Sequence, residues 1–349
     1  MSFVIYALGM GLILVTLLSR IRSTLWWVRT MDFPRTQTAV LLAVVGLAHV
    51  VNFDAKNLFS LGFGIALVAS LAYQCLRIFP YTRVARLQVT DTISADEPRS
   101  LRLLVSNVLM ENRRVSDFLA VVREVDPDVV LVVETDFWWA EQLQVLAAHY
   151  PHSILRPQNN YYGMCLYSRL KIGASEVRFL VEDDIPSIRA TVILLSGTEV
   201  ELFCLHPRPP EPRHDTDERD AELLIVGREV AACERPAIVT GDLNDVGWSH
   251  TSRLFQRISG LMDPRQGRGM FSTFHAKHPL FRWPLDHVFL SKDFSLIQLR
   301  CLRSIGSDHF PILAEVQLEP DISRGQTAPP TDRKDHDEAQ GRIMHALSG

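Results

Sequence analysis

Hydrophobic residues follow two different patterns along this chain, and the pattern changes near residue 90. The first part holds three long apolar runs, at about residues 3–19, 36–53 and 57–77. Each run is close to the roughly 20 residues that a helix needs to cross a bilayer. Beyond residue 100, short apolar runs alternate with amphipathic stretches of helical period. The sequence therefore predicts a membrane anchor followed by a globular domain.

The same pattern divides the chain into four parts. Residues 1–87 are predicted to be an anchor of three transmembrane helices, 88–100 a polar linker, and 101–319 the globular domain. Residues 320–349 are rich in Pro, Gly, Asp and Arg without periodicity, which predicts a disordered tail. The alternative for the first part is a cleaved signal peptide followed by buried core helices. Two more apolar runs and the lack of a small-residue cleavage pattern favour membrane helices.

Positive charge predicts the orientation of the anchor. The loop after the first run contains four arginines, the next loop contains only Asp54 and Lys56, and three arginines follow the third run. Loops rich in Lys and Arg stay on the cytoplasmic side. The sequence thus predicts a multi-pass protein of the cell (inner) membrane, with its N-terminus outside and its globular domain in the cytoplasm.

Short strands and helices alternate in the globular part. Strands are predicted at 101–106, 128–133, 163–168, 188–194, 200–205, 237–240, 284–290, 296–301 and 311–316. Helices are predicted at 115–125, 137–148, 217–232 and 249–258. Strands dominate the middle of this order, which predicts an α/β sandwich of two packed sheets between flanking helices.

The charge balance changes the picture of possible partners. Of the 36 basic and 40 acidic residues, residues 1–100 contain 9 and 5, so residues 101–349 carry 27 and 35, a net charge of −8. Proteins that bind long duplexes tightly and without sequence preference show a basic footprint. The acidic globular part therefore disfavours long duplex DNA as the substrate.

Polar motifs suited to metal and phosphate chemistry follow several predicted strands. The motifs are Ser106-Asn107, Val133-Glu134-Thr135, Leu205-His206-Pro207, Gly241-Asp242-Leu243-Asn244, Leu285-Asp286-His287 and Gly306-Ser307-Asp308-His309-Phe310-Pro311. Four of the six stand at the end of an apolar β-rich run, where side chains converge at one edge of a sheet. Unpaired buried charge is costly, so such a gathering indicates a divalent metal and a phosphate group.

Each motif also has an ordinary alternative when it is taken alone. Glu134 is suited to bind a hard cation, but a solvent-exposed acidic residue in a loop would give the same sequence pattern. Asp242 and Asn244, two apart, face one side of an extended segment, yet Gly, Asp and Asn also favour turns. His206 can donate to a phosphate or be structural. The occurrence of all the motifs together, in this order, favours one shared site.

The ensemble resembles the endonuclease/exonuclease/phosphatase superfamily, whose fold is the four-layer sandwich of pancreatic-type deoxyribonuclease. The resemblance covers about residues 101–318, and its most specific parts are Gly-Asp-Leu-Asn at 241–244 and Ser-Asp-His-Phe-Pro at 307–311. The apolar runs also resemble the bacterial branch with N-terminal membrane helices.

The resemblance implies a metal side and its ligands. Asn107 and Glu134 would hold or position Mg²⁺, or Mn²⁺ in its place, with Asp308 in support. Some family members have a second acidic ligand where this chain has Leu109, so a one-metal site is expected.

The resemblance also implies catalytic roles. Asp242 would orient or deprotonate the attacking water, and Asn244 would contact the phosphate. His309, oriented by Asp286, would stabilise the pentacovalent state. His206 would contact the phosphate and protonate the leaving oxygen.

Substrate selection is expected from residues 263–283, where basic and aromatic residues interleave. Arg268 and His275 are the predicted substrate contacts, to a nucleic acid by phosphate clamping and stacking or to anionic lipid headgroups. The alternative is a hydrophobic loop that packs on the sandwich and has no part in substrate binding.

The expected function is a membrane-anchored, magnesium-dependent phosphoesterase that cleaves phosphodiesters by direct attack of water, most simply a nuclease. A phospholipid or phosphoinositide phosphoesterase is the first alternative, because of the anchor and the acidic domain. A catalytically inactive membrane scaffold is the second, and the intact motif set argues against it. The substrate and the bilayer are the expected partners, and no particular protein partner is indicated.

Overall fold

Two facing β-sheets with helices on their outer surfaces form the body of the protein, and a bundle of three apolar helices stands at its N-terminus. The computed structural model describes residues 2–348, apart from the side chains of Ser2, Ser323 and Arg324. The α-helices are α1 (Ser2–Leu18), α2 (Trp26–Arg29), α3 (Arg35–Val51), α4 (Leu58–Ile78), α5 (Val115–Val125), α6 (Phe137–Gln142), α7 (Asp217–Ala231), α8 (His250–Ser259) and α9 (Arg333–Ser348). The strands are β1 (Ser100–Asn107), β2 (Val129–Val133), β3 (His152–Arg156), β4 (Met164–Ser168), β5 (Lys171–Arg178), β6 (Ser187–Ile193), β7 (Glu199–Leu205), β8 (Ala237–Asp242), β9 (Asp286–Leu290), β10 (Phe294–Cys301) and β11 (Ile312–Leu318).

Each sheet is antiparallel except for one central parallel pair. The six-stranded sheet has the order β10-β11-β1-β2-β4-β3, and the five-stranded sheet has the order β5-β6-β7-β8-β9. In the first sheet β1 and β2 are parallel, with Asn107 opposite Val133. In the second, β7 and β8 are parallel, with Leu205 opposite Gly241. Both parallel pairs therefore bring the carboxyl ends of two strands together, and these are the ends that carry polar motifs.

The main hydrophobic core lies between the two sheets. Leu103, Leu131, Ile188, Leu202 and Ile238 are all buried in it. A second core lies under α5 and α6 on the outer face of the six-stranded sheet, and a third under α7 and α8 on the five-stranded sheet. Because both faces of the central strands are covered, their sequences read as continuous apolar runs. The predicted α/β sandwich is confirmed as two mixed sheets flanked by helices.

Two strands were not predicted from the sequence, and both are edge strands. β3 borders the six-stranded sheet and β5 borders the five-stranded sheet. Their residues are mostly exposed or half-buried, and β5 contains Gly173 and Glu176. An edge strand needs no alternation of buried side chains, so its sequence carries little period-two signal.

The prediction of a disordered tail is wrong for residues 333–348, which form α9. Ala339 and Ile343, four residues apart, bury one face of this helix against α7 and α8. Asp335 accepts two hydrogen bonds of 2.8 Å from Arg257. The apolar face is only two residues long and is surrounded by charge, so composition alone does not reveal it.

The predicted linker of residues 88–100 also packs on the sandwich over part of its length. Val89 is fully buried in the main core. The amide of Thr92 donates to the carbonyl of Leu296 at 2.9 Å, on the edge strand β10. The segment therefore holds the end of the helical bundle close to the globular domain.

Helices α1, α3 and α4 stand where the three apolar runs predict helices, and they contact one another. Among the described residues, one helix (Leu58–Tyr81) is long and apolar enough to cross a membrane. A second candidate exists if the bent pair Trp26–Asp32 and Arg35–Val51 forms one span, and Phe3–Leu18 is apolar but shorter. Three membrane crossings thus remain a prediction.

The segment between α1 and α3, residues 19–34, docks on the globular domain and is called here the interhelix segment. The indole Nε1 of Trp248 donates to the carbonyl of Asp32 at 2.7 Å. The ring of Phe33 meets the ring of Trp283 edge to face, with 5.8 Å between centroids. Through these contacts the N-terminal bundle reaches the edge of the sandwich where the polar motifs lie.

Candidate active site

A cavity of about 890 Å³ opens at the sheet edge formed by the ends of β1, β2, β7 and β8. The motif residues that line it are Glu134, His206, Asp242, Asn244, Asp308 and His309. Asn107 and Asp286 lie directly behind them, each hydrogen-bonded to a lining residue. The eight side chains predicted to form the catalytic and metal site are therefore brought together by the fold.

Asn107 joins the two sheets at the bottom of the cavity. Its Nδ2 donates to Glu134 Oε1 at 2.6 Å and to Asp242 Oδ2 at 3.0 Å. Its Oδ1 accepts from the amide of Leu109 at 3.0 Å, which fixes the orientation of the carboxamide. Asn107 thus fixes the position of the Glu134 carboxylate, at the edge of one sheet, relative to the Asp242 carboxylate of the other sheet.

Asp242 follows a position in β8 whose backbone conformation and surroundings only glycine allows. Gly241 has φ 137°, and a Cβ at this position would lie 1.9 Å from the carbonyl oxygen of Leu205. The next polar residue, Asn244, has φ 51°, a left-handed conformation that Asn tolerates. Its amide donates to Asp242 Oδ1 at 3.1 Å, and its Nδ2 donates to the carbonyl of Pro207 at 3.0 Å. The Gly-Asp-Leu-Asn motif therefore places a buried carboxylate next to β7.

His309 lies between two carboxylates. Its Nδ1 is 2.8 Å from Asp286 Oδ2, and its Nε2 is 3.4 Å from Asp242 Oδ2. Burial alone would lower the pKa of His309, but the two carboxylates outweigh it and raise the pKa to about 10. The imidazole therefore carries a proton on each nitrogen. Burial opposes ionisation of Asp242, yet the His309 imidazolium, with hydrogen bonds from Asn107 and the amide of Asn244, holds the pKa of this carboxyl below its ordinary value.

His206 has the opposite protonation. Burial lowers its pKa to about 4, although Asp242 favours the charged form. Its Nε2 lies 3.9 Å from Asp242 Oδ2, and its Nδ1 has no hydrogen-bond partner in the described part of the chain. The ring packs against Tyr162, with 5.5 Å between centroids. A neutral imidazole faces the cavity here and can donate or accept one hydrogen bond.

The site has an excess of negative charge. Glu134, Asp242, Asp286 and Asp308 gather around one imidazolium, and among the described side chains no Lys or Arg nitrogen lies within 4.0 Å of these carboxylates. Burial, with Asp242 and Asp308 as further causes, raises the pKa of Glu134 to about 7 although Asn107 and His309 lower it. A hard divalent cation would remove this excess, and carboxylate oxygens are its preferred ligands. The residues therefore fit a divalent cation.

The cation fits better beside Glu134 than at the histidine. Ligand atoms of Asp242, Asp286 and His309 lie within 4.8 Å of one another, which is close enough to share an ion. However, both ring nitrogens of His309 face a carboxylate, so neither offers a free lone pair. We therefore interpret this trio as an acid–imidazole–acid chain and the Glu134 side as the metal side.

The two predicted substrate contacts lie outside the cavity. Arg268 donates to the carbonyls of Pro264 and Val89 at 2.9 and 2.7 Å and pairs with Asp91 at 2.5 Å. These bonds use the guanidinium to attach the 88–91 segment, so the geometry does not support Arg268 as a substrate contact. His275 packs on Phe274, which lines the cavity, with 4.8 Å between ring centroids, so it stands at the rim.

One wall of the cavity was not predicted from the sequence. It is apolar, and we call it the aromatic wall: Phe33, Pro34, Phe274, Phe281, Trp283 and Leu285. Phe33 and Pro34 come from the interhelix segment, more than 200 residues away in the chain from the other four. The interleaved aromatics of residues 263–283 gave a partial signal, but nothing local links them to Phe33.

The fold and the site define a phosphoester hydrolase of the deoxyribonuclease-like type. Residues 104–309 match the Endonuclease/Exonuclease/phosphatase family, and the chain belongs to this family. It is accordingly a hydrolase that acts on phosphoester bonds, with the divalent-metal dependence of the family. No curated protein matches the chain.

Solved structures share the fold at low sequence identity. TDP2 from D. rerio with a single-strand DNA product aligns with a TM-score of 0.54 and 19% identity over 62% of this chain and 99% of that one. An endonuclease/exonuclease/phosphatase from Beutenbergia cavernae gives 0.52 and 20% over 63% and 72%. The human Nocturnin catalytic domain gives 0.51 and 17% over 64% and 96%. At these identities the similarities show a shared fold alone.

Proposed function

We propose that this protein is a membrane-anchored, magnesium-dependent phosphodiesterase that cleaves its substrate by direct attack of water. The observation that carries the proposal is the chain Asp286–His309–Asp242, which meets Glu134 through Asn107 in one cavity. This set supplies a base, a cationic stabiliser and a metal side within one hydrogen-bonded network.

The residues divide the chemical work as follows. Asp242, kept ionised, orients the attacking water and accepts its proton. The His309 imidazolium stabilises charge on the non-bridging oxygens and is held in place by Asp286. His206, being neutral, donates a hydrogen bond to the phosphate or leaving oxygen rather than acting as a strong acid. Asn244 contacts the phosphate from the Asp242 loop.

Glu134 would hold the Mg²⁺ ion, with Asp308 beside it and Asn107 orienting the Glu134 carboxylate. When bound, the ion supplies Lewis acidity and charge neutralisation for the phosphoryl oxygens. Leu109, in place of a second acidic ligand, supports a single ion.

Nuclease action is the first candidate for the substrate. The structural neighbour TDP2 was solved with a single-strand DNA product, which supports a nucleic-acid strand. An extended strand would enter the cavity of about 890 Å³, whose lining includes the rings of Phe274 and Trp283 for stacking. The net charge of −8 over residues 101–349 favours short or single strands over long duplexes.

A phospholipid or phosphoinositide phosphoesterase is the second candidate, and the aromatic wall favours it. Phe33 and Pro34 continue this wall towards α3, and Gln37 on α3 donates to the carbonyl of Leu280 at 2.9 Å. Leu280 is 77% exposed and Phe281 is 57% exposed beside this contact. An acyl chain could follow these side chains from a bilayer while its phosphate reaches His309.

Membrane anchoring is supported by the outward faces of the bundle. Leu8, Val44 and Val68, one from each of the three apolar helices, are 57%, 57% and 68% exposed. Apolar side chains that are exposed over a whole bundle require an apolar surrounding. The arginine-rich interhelix segment lies on the side of the globular domain, which supports a cytoplasmic catalytic domain in an inner membrane. Protease protection in sealed vesicles tests this sidedness.

A substrate panel tests the function. Full-length protein is offered single-stranded DNA, nicked plasmid, RNA and mixed phospholipid vesicles, each with Mg²⁺ and with Asp242→Asn as the inactive control. We expect strand cleavage that the control lacks. Turnover of lipid alone would select the second candidate. Hydrolysis by Asp242→Asn at the wild-type rate would contradict the assigned mechanism.

A further inference from the structure

A second cavity, of about 370 Å³, lies where the helical bundle meets α8 of the globular domain. It shares no lining residue with the catalytic cavity. Its lining is strongly basic and includes Arg20, Arg22, Arg35, Arg77, Arg253 and Arg257. The lining contains one carboxylate, that of Asp32.

Half of these arginines are already neutralised by carboxylates. Arg35 pairs with Asp32, Arg22 with Glu338 at 3.3 Å, and Arg257 with Asp335 at 2.8 Å. The other three are Arg20, Arg77 and Arg253. In the part of the chain that the structure describes, no carboxylate lies within 4.0 Å of any of them.

Tyr73 gathers the arginines on the bundle side of the cavity. The guanidinium carbons of Arg20, Arg35 and Arg77 lie 5.3, 5.3 and 5.1 Å from the centre of its ring. A ring face attracts a cation but does not cancel its charge. Arg20 and Arg77 therefore bring uncancelled positive charge to one ring, and an anion between them would relieve their repulsion.

Arg253 completes the cavity from the side of the globular domain. Its Nε donates to the carbonyl of Ser249 at 3.0 Å. Burial, with the neighbouring charges of Arg77 and Arg257, lowers the pKa of Arg253 to about 10. The surroundings of this guanidinium thus disfavour its charge, and an anion beside it would favour the charged form.

The position of the cavity indicates where the anion comes from. Arg20 lies two residues beyond the end of α1, and Arg77 lies in the last turn of α4. Both helices end on the side of the bundle that faces the globular domain. If the bundle crosses a bilayer as proposed above, this level is that of the lipid headgroups, where basic pockets bind phosphates.

We propose that Arg20, Arg77 and Arg253 form a binding site for a phosphate group, supplied by the headgroup of an anionic phospholipid. Arg20 and Arg77 belong to the bundle and Arg253 belongs to α8, so the bound phosphate bridges the two parts of the protein. The site is separate from the catalytic centre, and its function does not depend on the reaction or on the substrate.

Native mass spectrometry and thermal unfolding test this site on the full-length protein. The wild type is placed in phosphatidylcholine nanodiscs with increasing phosphatidylglycerol, or with inorganic phosphate at constant ionic strength. We expect one retained phosphatidylglycerol and a saturating rise in Tm. Arg77→Gln and Arg253→Gln should weaken the apparent affinity by about tenfold or more, the loss of a charge-assisted contact.

Matched variants separate the site from general charge and from misfolding. Arg303→Gln removes an exposed arginine that pairs with Glu124 at 3.2 Å and should respond like the wild type. Arg77→Lys keeps the charge and should retain part of the binding. Hydrolysis of a small soluble phosphodiester, which reports a folded catalytic domain, should stay unchanged in all variants.

The outcomes are distinct. A saturating response to inorganic phosphate with none to phosphatidylglycerol would keep the phosphate site and overturn the lipid source. Absence of retained lipid and of any saturating shift in the wild type would overturn the site itself. An equal response of Arg77→Gln, Arg253→Gln and the wild type would do the same.

Discussion

Arg29 in the interhelix segment forms a buried ion pair with Asp245, 3.4 Å apart, directly after the Gly-Asp-Leu-Asn motif. Arg29 also lies 3.3 Å from Asp32 and 3.7 Å from Asp220. Asp245 in turn accepts hydrogen bonds from Ser249 and Ser252 at the start of α8, at 2.5 and 3.1 Å. Arg29 therefore belongs to a buried network of Arg and Asp side chains, in which Arg35 also pairs with Asp32, and Arg219 and Arg342 with Asp220. Through Asp245 it links the anchor to the loop that follows Asp242.

Arg29→Met should destabilise the protein, because it removes the nearest cation of the buried Asp245 carboxylate, which among the described residues then has only Arg219, 3.9 Å away. Breaking such a network costs about 3–5 kcal/mol. We expect a lower Tm in detergent and reduced hydrolysis even below the Tm, because the loop after β8 loses its support. Arg303→Met, at an exposed pair with Glu124, should cost less than about 1 kcal/mol. Equal effects of the two substitutions would show that the Arg29 network adds nothing.

Asp286→Asn should lower kcat with little effect on KM. The amide keeps the shape of the side chain but removes the charge that helps to raise the pKa of His309. Loss of this support costs about 10²–10⁴ in rate when an imidazole is catalytic. Steady-state kinetics on a soluble phosphodiester measure the change. Asp293→Asn, at the turn between β9 and β10, serves as the control, and a wild-type kcat in Asp286→Asn would remove Asp286 from the mechanism.

Glu134→Gln should weaken Mg²⁺ binding by at least about 100-fold, because a ligand contributes at least as much as the groups that orient it. Calorimetric titration of the full-length protein with Mg²⁺ measures this directly, and the dependence of hydrolysis on Mg²⁺ provides a second readout. Glu111→Gln, at an exposed carboxylate in the neighbouring loop, should bind the ion like the wild type. Unchanged affinity in Glu134→Gln would move the metal side to the Asp242, Asp286 and His309 trio.

The sequence predicted the strands that are buried on both faces and the motifs at their ends, because both are local. The run Val129–Val133 ends at Glu134, and this order alone indicates a strand with a polar residue at its edge. The convergence of the motifs came from the family resemblance and was then visible in the geometry. Roles assigned to individual residues remain predictions.

Contacts between distant segments could not be predicted in the same way. Arg29 and Asp245 are separated by 216 positions, and neither has a sequence context that indicates the other. Arg268 was predicted to contact substrate because of its residue type. In the structure its guanidinium instead donates hydrogen bonds to Val89 and Asp91, which are distant in the sequence. The sequence did not predict α9 for a related reason, because its short apolar face can be recognised only from its packing against α7 and α8.

Stability should depend on pH through Glu222, which is buried in α7 and whose Oε1 has no partner among the described residues. Burial, with the charge of Glu182, raises the pKa of Glu222 from 4.5 to about 8. The folded chain therefore keeps a proton that the unfolded chain releases above pH 4.5. The contribution of Glu222 to the free energy of unfolding is therefore fully present below pH 4.5. It is lost as the pH rises to about 8, which lowers the free energy of unfolding by about 3–5 kcal/mol.

Glu222→Gln should remove this dependence, because its side chain stays neutral. The difference in free energy of unfolding between the variant and the wild type is expected to grow in favour of the variant from pH 4.5 to about 8 and to stay constant above. Glu218→Gln, earlier in the same helix and partly exposed, should parallel the wild type. Chemical unfolding in detergent across this range measures both. A pH-independent difference between Glu222→Gln and the wild type would mean that Glu222 is already ionised in the folded protein.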